Sequence, residues 1–390
     1  MVVRQFFPWA GGTECQAQKL AKALQSAGAD VRVLTGRWTR GVAREETIDG
    51  IPVLRHSTWY EFFGLKGFRK FGAYIYLASL LWHLFRLRKT YDVVHVHMLS
   101  YPAFSAVLAA RWFDKKSLVK MANSGVGSDL RRMKNNALIP GQRQMLGTTL
   151  SADRLIAINR TIVDELTEAG VPAERISVIP NGVDVENASA RTDYATDERL
   201  TVVFVGRLVP NKGADVLLPA FARVLKNLDG KDWRLWLVGA GAEQARLTAL
   251  CEQLGIDRRV KFWGRVDNVA SHLEQADLFV LPSRAEGMSN ALLEAMSHGL
   301  PCIASRIPGN VEVIRDGENG ILVPVDNAEA LGDALLELGR DPARRRALGE
   351  QAHADVLREY GIGSVASRYL QLYRKLTEPT TPQPTVEQHA

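Results

Sequence analysis

Residues 278–304 read L-F-V-L-P-S-R-A-E-G-M-S-N-A-L-L-E-A-M-S-H-G-L-P-C-I-A. The four apolar residues at 278–281 form a short run without alternation, the pattern of a strand buried on both faces of a parallel sheet. A turn containing Gly287 follows, then a stretch of helical period that closes at Gly299, a glycine where helices stop. A second apolar run at 301–304 completes a strand, helix, strand unit. Parallel neighbours need such a crossover, so this one stretch predicts a helix-covered parallel sheet.

The rhythm extends both ways. Apolar runs at 200–205, 233–238, 260–263 and 320–323 alternate with helical patterns such as 215–228 and 243–254. Nearer the N-terminus, runs at 1–7, 30–35, 92–97 and 118–121 accompany a helical stretch at 14–27. Between the two series, residues 183–199 are polar and aperiodic. The expected fold class is α/β, with two doubly wound, Rossmann-like domains facing across a cleft at 1–185 and 198–360. Residues 328–338 and 342–359 read as helices, 361–376 as a last helix crossing back to the first domain, and the Pro/Thr-rich 377–390 as a disordered tail. The 390 residues suffice for two domains of ordinary size.

Composition narrows the class. Hydrophobic residues at 46% and charged residues at 24% describe a folded soluble chain and exclude disorder, collagen and a membrane bundle. Cys15, Cys251 and Cys302 lie too far apart for a disulfide framework or a zinc knuckle, which points to a reducing compartment. Residues 1–9 lack the apolar core of a secretory signal, so the expected location is the cytoplasm. Charge is uneven: 22 Lys and Arg face 9 Asp and Glu in residues 1–150, whereas the remainder is acidic. A basic first half predicts an anionic partner there, either a phosphorylated acceptor or an anionic membrane surface at the inner membrane face. Nucleic acid is not expected, because no reading motif accompanies the charge. Residues 62–90 mix aromatic and basic side chains and admit two readings, a core helix or a membrane-surface helix. The apolar run at 73–82 is about half of the roughly 20 residues a spanning helix needs.

Three constellations carry chemistry. If the turn at 282–289 feeds a helix, unpaired backbone N–H groups around Met288 to Ala291 point into the cleft, and the helix dipole makes them a phosphate site. Glu286 and Glu294 flank that site. Carboxylates repel phosphate, so hydroxyls are their natural partners, and a sugar nucleotide carries hydroxyls on both sides of its diphosphate. Second, F-V-G-R-L-V-P-N-K-G at 204–213 sets Arg207 and Lys212 just beyond a strand, where two cations neutralise a departing diphosphate. Third, in P-W-A-G-G-T-E at 8–14, Gly11 and Gly12 let backbone approach a ligand closely. V-G-A-G-A-E at 238–243 lacks the third glycine of a dinucleotide fingerprint. Neither H-V-H at 95–97 nor D-V-E at 184–186 has the further ligands a metal site needs.

Together these residues resemble the retaining glycosyltransferases of family 4, which have the GT-B fold. The likeness runs from Gly11-Gly12 through V-I-P-N-G-V-D at 178–184 and A-D-L-F-V-L-P-S at 276–283 to the Glu286 and Glu294 pair. It implies that Arg207 and Lys212 hold the diphosphate, that Glu286 contacts the donor sugar and Glu294 the ribose. It also implies that Gly287, Met288, Ser289 and Asn290 support the phosphates, that Gly12 approaches the donor from the first domain, and that the base lies near Gly264, Arg265 and Val266. The implied donor is a nucleotide-diphosphate sugar and the implied acceptor a saccharide or lipid-linked hydroxyl, as in polysaccharide, lipopolysaccharide or glycolipid synthesis at the cell envelope. Transfer would retain anomeric configuration, with no metal or other cofactor.

At one point the pattern departs. Many members carry a His-Gly pair after the strand at 118–121, where this chain has Asn123, Ser124 and Gly125. An amide does not act as acid or base near neutral pH, so Asn123, Lys120 and His97 are the acceptor-side candidates. The alternatives are a nucleotide-sugar binding scaffold with little turnover and a sugar-nucleotide epimerase, whose acid–base pair the spacing does not supply.

Overall fold

The computed structural model describes residues 1–8, 11–59, 69–135, 139–186, 188–194, 199–227 and 232–378. The first domain strings together β1 (Val2–Val3), β2 (Val33–Arg37), β3 (Glu45–Ile48), β4 (Ile51–Ser57), β5 (Val93–His97), β6 (Lys116–Lys120), β7 (Arg154–Ala157) and β8 (Ile176–Val178). They form one sheet in the order β3-β4-β2-β1-β5-β6-β7-β8. Only the β3–β4 pair is antiparallel. The second domain contributes β9 (Arg199–Val205), β10 (Asp232–Val238), β11 (Val260–Gly264), β12 (Leu278–Leu281), β13 (Cys302–Ser305) and β14 (Ile321–Val323), all parallel, in the order β11-β10-β9-β12-β13-β14.

Strand order reverses once in each sheet, between β1 and β5 and between β9 and β12. Turns that leave neighbouring strands toward opposite faces open a crevice at such a reversal, and it is there that ligands of α/β sheets bind. The crevice turns are those after β1, β5, β9 and β12, which carry Gly12, the Gly206–Lys212 segment and the Pro282–Ser289 segment. β12 is apolar on both faces because helices cover both, and its four residues are all buried.

One hydrophobic cluster runs through both domains, joining Val2, Tyr76, Val96 and Val119 of the first to Val203, Phe279, Leu292 and Met296 of the second. Separate clusters cover the far face of each sheet. The helix Ile362–Thr377 packs on the helix Gly12–Ser26 and buries Val365, Ala366 and Tyr369 among first-domain residues. The chain passes between domains twice at one place: Val183 N donates to Tyr360 O and Ile362 N to Val183 O, both at 2.8 Å. The connecting segment lies on the second domain, where Arg191 N donates to His298 O, Tyr194 Oη to Gly299 O, and the buried Arg345 to Tyr194 O.

Two elements differ from the sequence reading. The N-terminal run expected over 1–7 pairs only at Val2–Val3. The β3–β4 hairpin turns through Asp49 and Gly50, both at positive φ, the two-residue loop that suits the twist of paired strands. Within 62–90 the described helix is Arg69–Arg86, and it packs Ala73, Tyr76, Leu77, Leu80 and Leu84 into the core. Most of the tail expected from 377 onward lies outside the described residues, and Thr377 itself ends the last helix.

Candidate active site

The turn after β12 and the helix Asn290–Ser297 gather donors of the kind an anion receptor needs. Ser289 caps the helix, its hydroxyl accepting from Leu292 N at 3.3 Å. First-turn N–H groups have no intrahelical acceptor, and those of Asn290 and Ala291 have none among the described residues. Beside them, Lys212 Nζ meets Glu286 Oε1 at 2.5 Å, and Ser283 Oγ donates to the same oxygen at 2.7 Å. Both members of the pair are largely enclosed, with 17% and 12% of their side chains exposed. Arg207 leaves β9 on the same side of the reversal; it is exposed, and its guanidinium has no partner among the described residues. A bound diphosphate would compete with Glu286 for Lys212 while finding Arg207 open.

The first domain closes directly on this turn. A Cβ on Gly287 would stand 2.0 Å from Ala122 O and 3.2 Å from Asn123 Cα, so any larger residue would push the domains apart. Asn159 Nδ2 donates to Gly287 O at 2.6 Å while its Oδ1 caps the helix Arg160–Glu168 through Ile162 N. Asn290 Nδ2 donates to Gly12 O at 3.0 Å, and a Cβ on Gly12 would lie 3.3 Å from that amide nitrogen. Lys19, about two helical turns beyond Gly12, reaches Glu294 Oε1 at 2.6 Å. Arg265, next to the positive-φ Gly264, acts with Lys19, Glu14 and Glu294 on the half-buried Cys15 thiol, which burial holds above its ordinary range. Val266 packs against the shared core and Met288 is buried, its sulfur accepting from Asn181 N at 3.4 Å.

The acceptor-side candidates part company. Lys120 is buried and donates to Asn181 Oδ1 at 2.9 Å; Asn181 Nδ2 donates in turn to Asn290 Oδ1 at 2.9 Å, a chain that ends at Gly12. Burial lowers the Lys120 pKa to about 8. His97, at the end of β5, is 2% exposed and stacks on His95 at 4.3 Å, with Nε2 unpartnered. Burial keeps its ring neutral, and the structure gives it no direct opening to the cleft. Asn123 alone stands at the domain interface partly exposed. Asp129 orients it: Oδ1 accepts from Asn123 Nδ2 at 2.8 Å, and Oδ2 accepts from Ala122 N at 2.7 Å and Asn123 N at 3.2 Å. Burial raises the Asp129 pKa to about 6, against these hydrogen bonds. With one of its two amide N–H groups held by Asp129, Asn123 keeps its carbonyl oxygen and its second N–H to offer.

The sequence reading missed Lys19, Asp129 and Asn159. The Asn159 cap was visible as an asparagine before a helical stretch; nothing local announced the contacts that Lys19 and Asp129 make. Among the described residues no group of three or more His, Cys, Asp and Glu side chains is placed to hold a metal ion.

Two facing parallel α/β domains with cations, carboxylates and a capped helix at the second reversal define a GT-B glycosyltransferase. Residues 11–182 match the glycosyl transferase 4-like domain and residues 199–341 the glycosyl transferases group 1 domain. The chain belongs to this family, glycosyltransferase family 4. It is 30% identical to a D-inositol 3-phosphate glycosyltransferase of Xylanimonas cellulosilytica, over 95% of this chain and 93% of that one. Its fold matches sucrose-phosphate synthase from Thermosynechococcus elongatus with a TM-score of 0.81 at 22% identity, covering 96% of this chain and 99% of the other. It also matches Anabaena HepE in complex with UDP-glucose at a TM-score of 0.74 and 19% identity, covering 96% and 99%.

Proposed function

We propose that this glycosyltransferase moves a sugar from a nucleotide-diphosphate donor to an acceptor hydroxyl with retention of configuration and without a metal. The observation that carries the reading is the convergence of Arg207, Lys212, Glu286 and the Ser289-capped helix at one strand-order reversal. The helix N-terminus and the two cations take the diphosphate, supplying the positive charge that a metal supplies elsewhere. Glu286 holds the sugar hydroxyls and Glu294 the ribose, while Gly264, Arg265 and Val266 border the base. As the bond from the anomeric carbon to the phosphate oxygen breaks, the acceptor oxygen bonds to that carbon on the same face and passes its proton to the departing phosphate. Asn123 supplies an acceptor oxygen for a substrate hydroxyl and moves no proton.

The basic first domain fits an anionic acceptor, phosphorylated or lipid-linked, in cell-envelope polysaccharide, lipopolysaccharide or glycolipid synthesis by a cytoplasmic protein at the inner membrane face. The phosphorylated inositol in the name of the Xylanimonas relative supports this acceptor class. The test is a panel of UDP-, GDP- and ADP-sugars scored by thermal shift and product formation, with the anomeric configuration of the product read by NMR. An inverted product would end the retaining mechanism, and UDP or GDP located in a crystal away from Lys212 and Glu294 would end the donor site.

Asn123 favours one second reading, a scaffold that binds nucleotide sugars without turnover. It predicts thermal stabilisation by donor with neither hydrolysis nor transfer of a labelled sugar.

A further inference from the structure

The helix Arg69–Arg86 is apolar on two sides. Toward the core it buries Ala73, Tyr76, Leu77, Leu80 and Leu84. A surface helix ordinarily turns a polar face outward. Here Phe71, Tyr74, Trp82 and Phe85 are 55%, 40%, 50% and 44% exposed. At about 100° per residue these positions fall within an arc of about 80°, a single stripe along the helix. The stripe spreads onto the neighbouring helix Tyr101–Trp112, whose Trp112 is 62% exposed, and the Phe85 and Phe113 rings stand 5.6 Å apart.

Cations frame the aromatics. The Arg86 guanidinium lies 4.8 Å from the Trp82 ring and that of Arg88 lies 4.2 Å from the Phe85 ring. Across residues 82–92 and 111–116 there are six Lys and Arg, among them Lys89 and Arg111, against Asp92 and Asp114. Bulky rings that enter a headgroup boundary, beside cations that pair with lipid phosphates, are the composition of an interfacial helix. A second copy fits poorly, because a two-fold contact would set these cations against themselves.

Orientation adds a reason. A Cβ on Gly36, near the end of β2, would stand 2.8 Å from the Tyr76 ring, whereas Leu84 and Leu87 share a cavity with Val31 and Arg32 just before β2 begins. The helix therefore runs from the crevice edge of the sheet to its far edge, so a surface lying along the stripe passes beside the crevice edge. Among the described residues no helix is long and apolar enough to cross a membrane, so contact would be one-sided.

We propose that this aromatic and basic face docks the first domain on an anionic lipid surface. The proposal deepens the reading of an anionic or lipid-linked acceptor given above and rests on it. The test is co-flotation of the full chain with phosphatidylcholine vesicles, with and without phosphatidylglycerol. The wild type is expected to float with the phosphatidylglycerol vesicles. Trp82→Ser/Phe85→Ser/Trp112→Ser and Arg86→Gln/Arg88→Gln/Lys89→Gln should each lower the floated fraction about tenfold. All three residues of the aromatic variant are exposed, so its melting temperature and its donor turnover in solution should match wild type. Wild type that stays at the bottom with phosphatidylglycerol, equal flotation with pure phosphatidylcholine, or an aromatic variant that floats like wild type overturns the proposal. So does a dimer in size-exclusion chromatography that the aromatic variant splits, which would assign the face to a second copy. Donor turnover without flotation refutes docking alone, and flotation without turnover on the donor panel refutes the transfer reading alone.

Discussion

Each domain works at the reversal of its strand order, and the two reversals are built differently. At β9 and β12 two short contiguous turns supply Arg207, Lys212, Glu286 and the helix cap, so the chemistry is written in neighbouring residues. Around β1 and β5 the crevice wall is assembled from Lys19, Lys120 with Asn123, Asn159 and Asn181, drawn from four separate segments, and several act only by touching the second domain. The difference teaches that a phosphate receptor made of backbone and fixed offsets is a local object. A wall of converging side chains, where the acceptor is proposed to bind, is a tertiary one.

The sharpest way to break this comparison is at the local half. Lys212→Ala and Arg207→Ala should each lower turnover about 10²- to 10³-fold, the usual cost of removing one preorganised charge from a transition state. Wild-type turnover in either would remove the diphosphate assignment. Gly287→Ala probes the contact between halves: a methyl group 2.0 Å from Ala122 O forces the domains apart. Overpacking costs of about 1–3 kcal/mol translate into a roughly 5- to 150-fold loss of turnover. Small-angle scattering should report a larger radius for this variant, and an unchanged radius with full activity would refute the close approach.

The tertiary half responds to pH. Burial raises Asp129 from 3.8 to about 6, so its ionised form is disfavoured in the folded state. The stabilisation relative to an unfolded chain is therefore complete below pH ~4, shrinks as pH rises to ~6 and then stays lost, by on the order of 3 kcal/mol. Melting temperatures followed over this window should show the slope in wild type and not in Asp129→Asn. That variant also turns the Asn123 amide round, since two NH2 groups cannot face each other, and so should disturb acceptor KM more than donor KM. Lys19→Met is the smallest change. Its ion pair with Glu294 is about one-third exposed and worth about 0–1 kcal/mol, so donor KM should rise less than about fivefold with kcat little altered. A larger effect would make Lys19 part of the donor site proper.

The legible parts share a physical basis. Largely apolar runs marked β9, β10, β12 and β13 within a residue or so, because strands covered on both faces carry few polar positions, here Thr201 and the exposed Arg234. The β3–β4 hairpin has a turn signal in Asp49-Gly50, but its first strand, Glu45–Ile48, is mostly exposed and polar and so leaves no apolar run in the sequence. His97 looked like a candidate because it ends a strand beside the crevice. Its burial comes from helices that pack over that face, on which the strand's own residues are silent.

Short-range order settled the two parallel sheets, the turn after β12 and the pairing of cations with a helix N-terminus, because periodicity, capping and turn chemistry act over a few residues. Only the folded chain decided that Lys19 meets Glu294, that Asn159 holds Gly287, and that Lys120, Asn181 and Asn290 form one line. Those partners lie 61 to 275 positions apart, and no interaction within a segment can choose them. They are brought together by the burial of a core that the two domains share.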